Sequence, residues 1–226
     1  MDQERLEELQ KEIGTLADSL CELKERHAIW DAYSSRLTTS RVTVFFGDFH
    51  DWAFQNYCDA MAIGIRRLVF AGKGTSSLLD LMRRVLERAE SFTFNDAVTI
   101  QGLDQDDRAT WLLASGFFST SERTISKAAV RRDSHVIESS ELLGRCKKCA
   151  DTRIAHSVRG PVRGPAPQDP ALKDVKPVLE LLSSQIRRYR RLLNAYPHCL
   201  DPEVLDSVPR DLDSLFGKGG DRPLGS

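Results

Sequence analysis

A heptad opens this chain. Leu6, Leu9, Ile13, Leu16, Leu20, Leu23, His27 and Trp30 are spaced 3, 4, 3, 4, 3, 4 and 3 residues apart. Residues three and four apart share one face of an α-helix, so this spacing lays all eight along a single narrow stripe. A strand cannot do so, because its side chains alternate with a period of two. No proline occurs before Pro161, and Gly14 is the only glycine ahead of Gly47. The pattern predicts one long helix over residues 2–37. An apolar seam this narrow must be covered by one or two helices of the same chain or of a partner. An ordinary bundle helix is the preferred reading over a free coiled coil.

The rest of the chain is punctuated as further helices. Thr39-Ser40 can cap a second one, whose face includes Val44, Phe45, Phe49, Trp52, Met61, Ile65 and Leu68. Phe45, Phe49 and Trp52 are assigned to the core. Ala71-Gly72-Lys73-Gly74 is a stop signal, and Ser76-Ser77 starts a third helix carrying Leu78, Leu79, Leu81, Met82, Val85 and Leu86. Residues 91–105 mix turn-like and strand-like types and read as a loop. Residues 104–114 read as a short helix broken at Ser115-Gly116. The helical pattern resumes over residues 119–155, with an interruption expected near Asp133-Ser134. Residues 159–167 cannot be helical, because Pro and Gly recur every few positions. Asp169-Pro170 begins another helix that ends before Pro197, residues 201–216 add a short one, and the glycine-rich 217–226 reads as a disordered tail. No hairpin signal occurs. The expectation is an all-α bundle of five to seven helices: a long N-terminal helix over 1–38, a helical core over 39–158, a Pro/Gly-rich linker over 159–168, a C-terminal segment over 169–216 packed on the core, and the tail.

Composition narrows the function classes. With 226 residues, 41% hydrophobic and 29% charged, the chain can bury a core without disulfides or a structural metal. Its longest uncharged apolar runs, such as Leu112 to Phe118, fall far short of the ~20 residues that span a bilayer. The opening Met1-Asp2-Gln3-Glu4-Arg5 has no apolar signal region, and the five scattered cysteines are odd in number. Reduced thiols in a cytoplasmic protein are expected. The net charge of −1 hides an asymmetry. Residues 1–31 hold four bases and nine acids, giving −5, and residues 141–200 hold twelve bases and five acids, giving +7. Such a split suits a polyanion-binding face or two opposed faces that meet in an oligomer.

Several kinds of site are excluded by spacing. Ala71-Gly72-Lys73-Gly74-Thr75-Ser76 lacks the first glycine of a phosphate loop and follows no strand. Cys146-Lys147-Lys148-Cys149 is a single pair. With His156 it would make three zinc ligands, one short of a structural site, so two small side chains filling a helix face are the preferred reading. The informative stretch is Cys149-Ala150-Asp151-Thr152-Arg153-Ile154-Ala155-His156-Ser157, where a long helix meets the Gly/Pro-rich linker. A helix C-terminus favours imidazolium at His156. Arg153 lies one turn earlier, and Arg145, Lys147, Lys148 and Arg159 surround the pair. A histidine among cations beside a loop suits a phosphodiester, and a histidine that merely caps a helix end is the alternative.

The Ile-Ala-His end of that helix resembles the HEPN superfamily, and within it the abortive-infection type. Ile65-Arg66-Arg67-Leu68 before Thr75-Ser76-Ser77-Leu78, and the basic helix after the linker, resemble the same subgroup. The likeness covers roughly residues 40–196. It implies a metal-independent endoribonuclease toxin of a phage-defence or toxin–antitoxin system, without a cofactor. It also implies a homodimer whose two motifs face one RNA-cleaving cleft, and a neutralising antitoxin as a further partner. The family motif is an arginine, four to six residues, then a histidine. On that pattern His156 is general base or acid, Asp151 orients it, and Ala150 stands where the motif has its arginine. Arg66, Arg67, Arg145, Lys147, Lys148, Arg153 and Arg159 are the implied RNA-binding cations. Ala150 is then either natural, in a non-catalytic RNA-binding or protein-interaction module, or a deliberate change that disarms a toxin. On the second alternative, Ala150→Arg restores cleavage.

Overall fold

A computed structural model of the chain describes residues 3–39, 47–70, 72, 76–99, 105–118, 124–159 and 172–193. Side chains within these spans are described except at 37–39, 47, 96, 98–99, 105–109, 153–159 and 172–174. The helices are α1 (Gln3–Thr39), α2 (Gly47–Val69), α3 (Leu78–Glu87), α4 (Phe94–Thr99), α5 (Gln105–Ala114), α6 (Lys127–Glu138), α7 (Glu141–Arg159) and α8 (Leu172–Leu193), with a 3₁₀ turn at Ala89–Ser91. Seven of them have ten residues or more, and α4 has six. The fold is an all-α bundle built on a long first helix, as the heptad required.

The stripe on α1 is consumed inside the chain. Leu6, Leu9, Ile13, Leu16, Leu20, Leu23 and Trp30 are all buried. α1 lies between α2 and α8, α7 runs along α2, and α7 also meets α8. These four helices contact one another in turn, and α3 and α6 pack together beside them, against α1, α2 and α7, and add their apolar faces to the same core. A Cβ at Gly64 would collide with the Leu23 side chain, so this glycine sets how closely α1 and α2 approach. At the other end of that interface Trp30 stacks on Tyr57 at 4.9 Å between ring centroids, and the Tyr57 hydroxyl lies 2.7 Å from His27 Nδ1.

Three expectations need correcting. Phe49 and Trp52 are 53% and 62% exposed and stand against each other at 5.7 Å instead of entering the core. The buried face of α2 is Tyr57, Cys58, Met61, Ala62, Ile65, Leu68 and Val69. Trp52 and Met61 are nine residues apart, about two and a half turns, and therefore lie on opposite sides of the helix. Phe45 lies outside the described residues. Second, residues 91–105 are no plain loop. α4 forms there, and Thr93 makes an isolated antiparallel bridge with Thr124. Phe92 is buried and Phe94 meets Phe118 edge-on at 5.4 Å, so tertiary packing sets this segment's shape. Third, the break between α6 and α7 falls at Ser139-Ser140, while Asp133 and Ser134 are mid-helix. Asp133 is buried, and its Oδ2 accepts from Arg188 Nε at 2.8 Å. α8 also accommodates Pro177, on its exposed side. Pro170, residues 201–216 and the tail at 217–226 lie outside the described residues, as does most of the 159–168 linker.

Candidate nucleic-acid interface

α2 and α7 approach through small side chains. Ala62 on α2 and Cys149 and Ala150 on α7 are buried together, with Ile63 packed beside them. Close approach of the two backbones then lets polar side chains one turn away bridge the helices. Asp151 follows Ala150 and reaches the edge of the interface, where it accepts a hydrogen bond from Arg66 Nε across the helix pair. Its second oxygen accepts from Lys147 Nζ at 2.9 Å, an i,i+4 pair on α7. Lys147 also stands 5.8 Å from the centre of the Phe70 ring, just past the end of α2. Burial pushes the Asp151 carboxyl up, but hydrogen bonds from Lys147 and Arg66 outweigh it and leave the group below the usual carboxylate range. Asp151 is thus an anion held by two cations, and the cluster carries a net positive charge.

The structure brings some of the expected site residues together and separates others. Arg66, Lys147 and Asp151 form one cluster. Arg145 and Lys148 are exposed elsewhere on α7. Arg67, one residue after Arg66, points around the helix into a groove between α1 and α2 shared with Ser19, Arg26 and Ser76. Arg153, His156 and Arg159 all lie on α7, and their side chains are outside the described residues. Ala150 is 0% exposed. An arginine at this position would have to enter the α2–α7 interface beside Ala62 and Cys149. Cys146 and Cys149 are both buried, filling a helix face. Among the described residues no group of three His, Cys, Asp or Glu could hold a metal ion, and no helix is long and apolar enough to cross a membrane.

The Arg66–Asp151 pairing is what sequence reading missed. Both residues were singled out, but a motif read along one helix cannot show that the guanidinium beside Asp151 comes from α2. Small residues at 62 and 150 were the available signal of a close helix crossing. Comparisons with protein-family models, curated proteins and solved structures give no match.

Proposed function

We propose that this chain is a HEPN-like RNA-binding module whose α2–α7 face holds RNA phosphates. Ala150 is, on this reading, a native packing residue and not the trace of a removed arginine. The observation that carries the reading is the burial of Ala150 beside Ala62, next to a cluster in which Arg66 and Lys147 outnumber Asp151. Lys148 and Arg145 extend the positive charge along α7, and phosphate contacts of this kind supply affinity without sequence information. The implied partners are RNA, a second copy of the chain and a neutralising protein.

A specific observation favours a second reading, the metal-independent endoribonuclease toxin. Arg66 brings a guanidinium to within one residue of the motif position, on the helix that carries His156. A guanidinium can stabilise charge developing on a phosphate, and a histidine can take the 2′-OH proton. One experiment separates the two. Single-stranded RNA is titrated by filter binding and followed for cleavage in the presence of chelator. The module reading expects binding that weakens severalfold in Lys147→Ala and in Lys148→Ala, with a salt slope lower by about one in each, and an RNA that stays intact. Cleavage lost in both Arg66→Ala and His156→Ala establishes the nuclease instead. An RNA that neither binds nor breaks overturns both readings.

A further inference from the structure

A second cationic site lies where α8 packs on α1 and the end of α5. Glu180, Arg187, Arg188 and Arg191 fall at intervals of seven, one and three residues and share one face of α8. That face borders a cavity of about 520 Å³, within the usual size of a small-molecule site, together with Lys24 of α1 and Trp111 of α5. Four cations and one carboxylate thus line it. Arg188 is committed to structure: its Nε donates to Asp133 Oδ2 at 2.8 Å, its guanidinium donates to the Ser115 carbonyl at 2.6 Å, and it lies 4.3 Å from the Phe117 ring centre. Those three contacts fix the cavity wall. Arg187 and Arg191 are an i,i+4 pair of like charge, which is unfavourable on a bare helix. Burial, with Arg187 close by, holds Lys24 below the usual lysine range. Arg191 lies over the Trp111 ring at 5.6 Å from its centre, so an aromatic surface stands beside the cations.

We propose that this cavity binds a nucleoside polyphosphate, with its phosphates on Lys24, Arg187 and Arg191 and its base against Trp111. A phosphate relieves the repulsion among the three cations, and guanidinium groups match its geometry bidentately. An aromatic wall beside a cationic cluster adds an apolar surface for a base, which inorganic phosphate would not use. The site is separate from Arg66, Lys147 and Asp151, and the proposal stands whether or not RNA binds at α2–α7.

The test is calorimetric titration of the full chain at low salt with ATP, inorganic pyrophosphate and adenosine. ATP is expected to bind at least about tenfold more tightly than pyrophosphate, and adenosine not at all. Arg187→Ala/Arg191→Ala removes two exposed side chains and should weaken ATP at least tenfold, with the circular-dichroism melt unchanged. Trp111→Leu should weaken ATP but leave pyrophosphate as it was. Arg131→Ala, an exposed cation on α6, is the control for bulk charge and should change neither. Absence of ATP binding at millimolar concentration, or binding undiminished in the double variant, overturns the site. Equal affinity for ATP and pyrophosphate overturns its assignment to a nucleoside.

Discussion

At the scale of single residues, position 150 decides most. A small side chain there lets α7 lie against α2, and burial leaves it no space to grow. Ala150→Arg should cost about 3 kcal/mol or more, since overpacking is compounded by an unpaired buried charge. Urea denaturation would show this as a lower midpoint. A variant as stable as the parent would mean that the two helices separate readily. Its neighbour Asp151 gives a pH prediction. The folded carboxyl sits below its unfolded value of about 3.9, so its ion pairs contribute stability above that pH. The contribution is lost as pH falls through the folded value. Asp151→Asn should therefore lower the urea midpoint at pH 7, by an amount that shrinks as the pH is taken below the unfolded value. Because the side chain is 39% exposed, the effect is modest. The residue types at this site were legible in the sequence. Their pairing was not, since Arg66 and Asp151 are 85 positions apart.

At the scale of helices, periodicity gave α1, the Ser77-capped α3 and the body of α8 directly. Ser77 Oγ accepts from Asp80 N at 3.2 Å, as a capping serine should. Periodicity misplaced the aromatic end of α2, where Trp52 was put on one face with Met61 though the two are nine residues, or two and a half turns, apart. It also missed α4, whose six residues are too few to show a period and are held by packing on Phe118. Beside the core they share, α3 and α1 are linked by a charge cluster that no periodic pattern encodes. Arg84 donates to Glu12 at 2.7 Å, Glu8 at 3.0 Å and Asp80 at 3.1 Å. Glu12 is 4% exposed at its side chain. Its burial pushes the carboxyl above the usual range, against hydrogen bonding from Ser76 and the attraction of Arg84. An acid raised on folding favours its protonated form, so ionised Glu12 is a net cost at neutral pH, and stability rises as pH falls through the folded value. Arg84→Ala should then destabilise by about 2 kcal/mol or more, because it leaves Glu12 ionised, buried and without its main partner. Glu12→Gln alone should be neutral or slightly stabilising, and Glu12→Gln/Arg84→Ala should recover much of the loss. A double-mutant cycle in urea reads all three. Additive losses would show that the two side chains do not act as a pair.

At the scale of the whole molecule, the heptad raised the question of whether its partner is the same chain or a second copy. Within one chain, α2, α3 and α8 already cover Leu6, Leu9, Ile13, Leu16, Leu20, Leu23 and Trp30. A homodimer of the HEPN kind would therefore have to form on another surface, and the seam gives no support for one. The distinction has a measurable consequence. If the seam were a dimer surface, removing residues 1–39 would leave a folded monomer with an exposed face. As a core element it contributes seven large buried side chains at about 1.5–3 kcal/mol each, or roughly 10–20 kcal/mol. That matches or exceeds the 5–15 kcal/mol by which whole domains are stable. The shortened chain should lose its cooperative melt and its helical circular dichroism together, and collect in the insoluble fraction. A soluble, cooperatively melting product of half the mass by light scattering would return α1 to the role of a dimer seam.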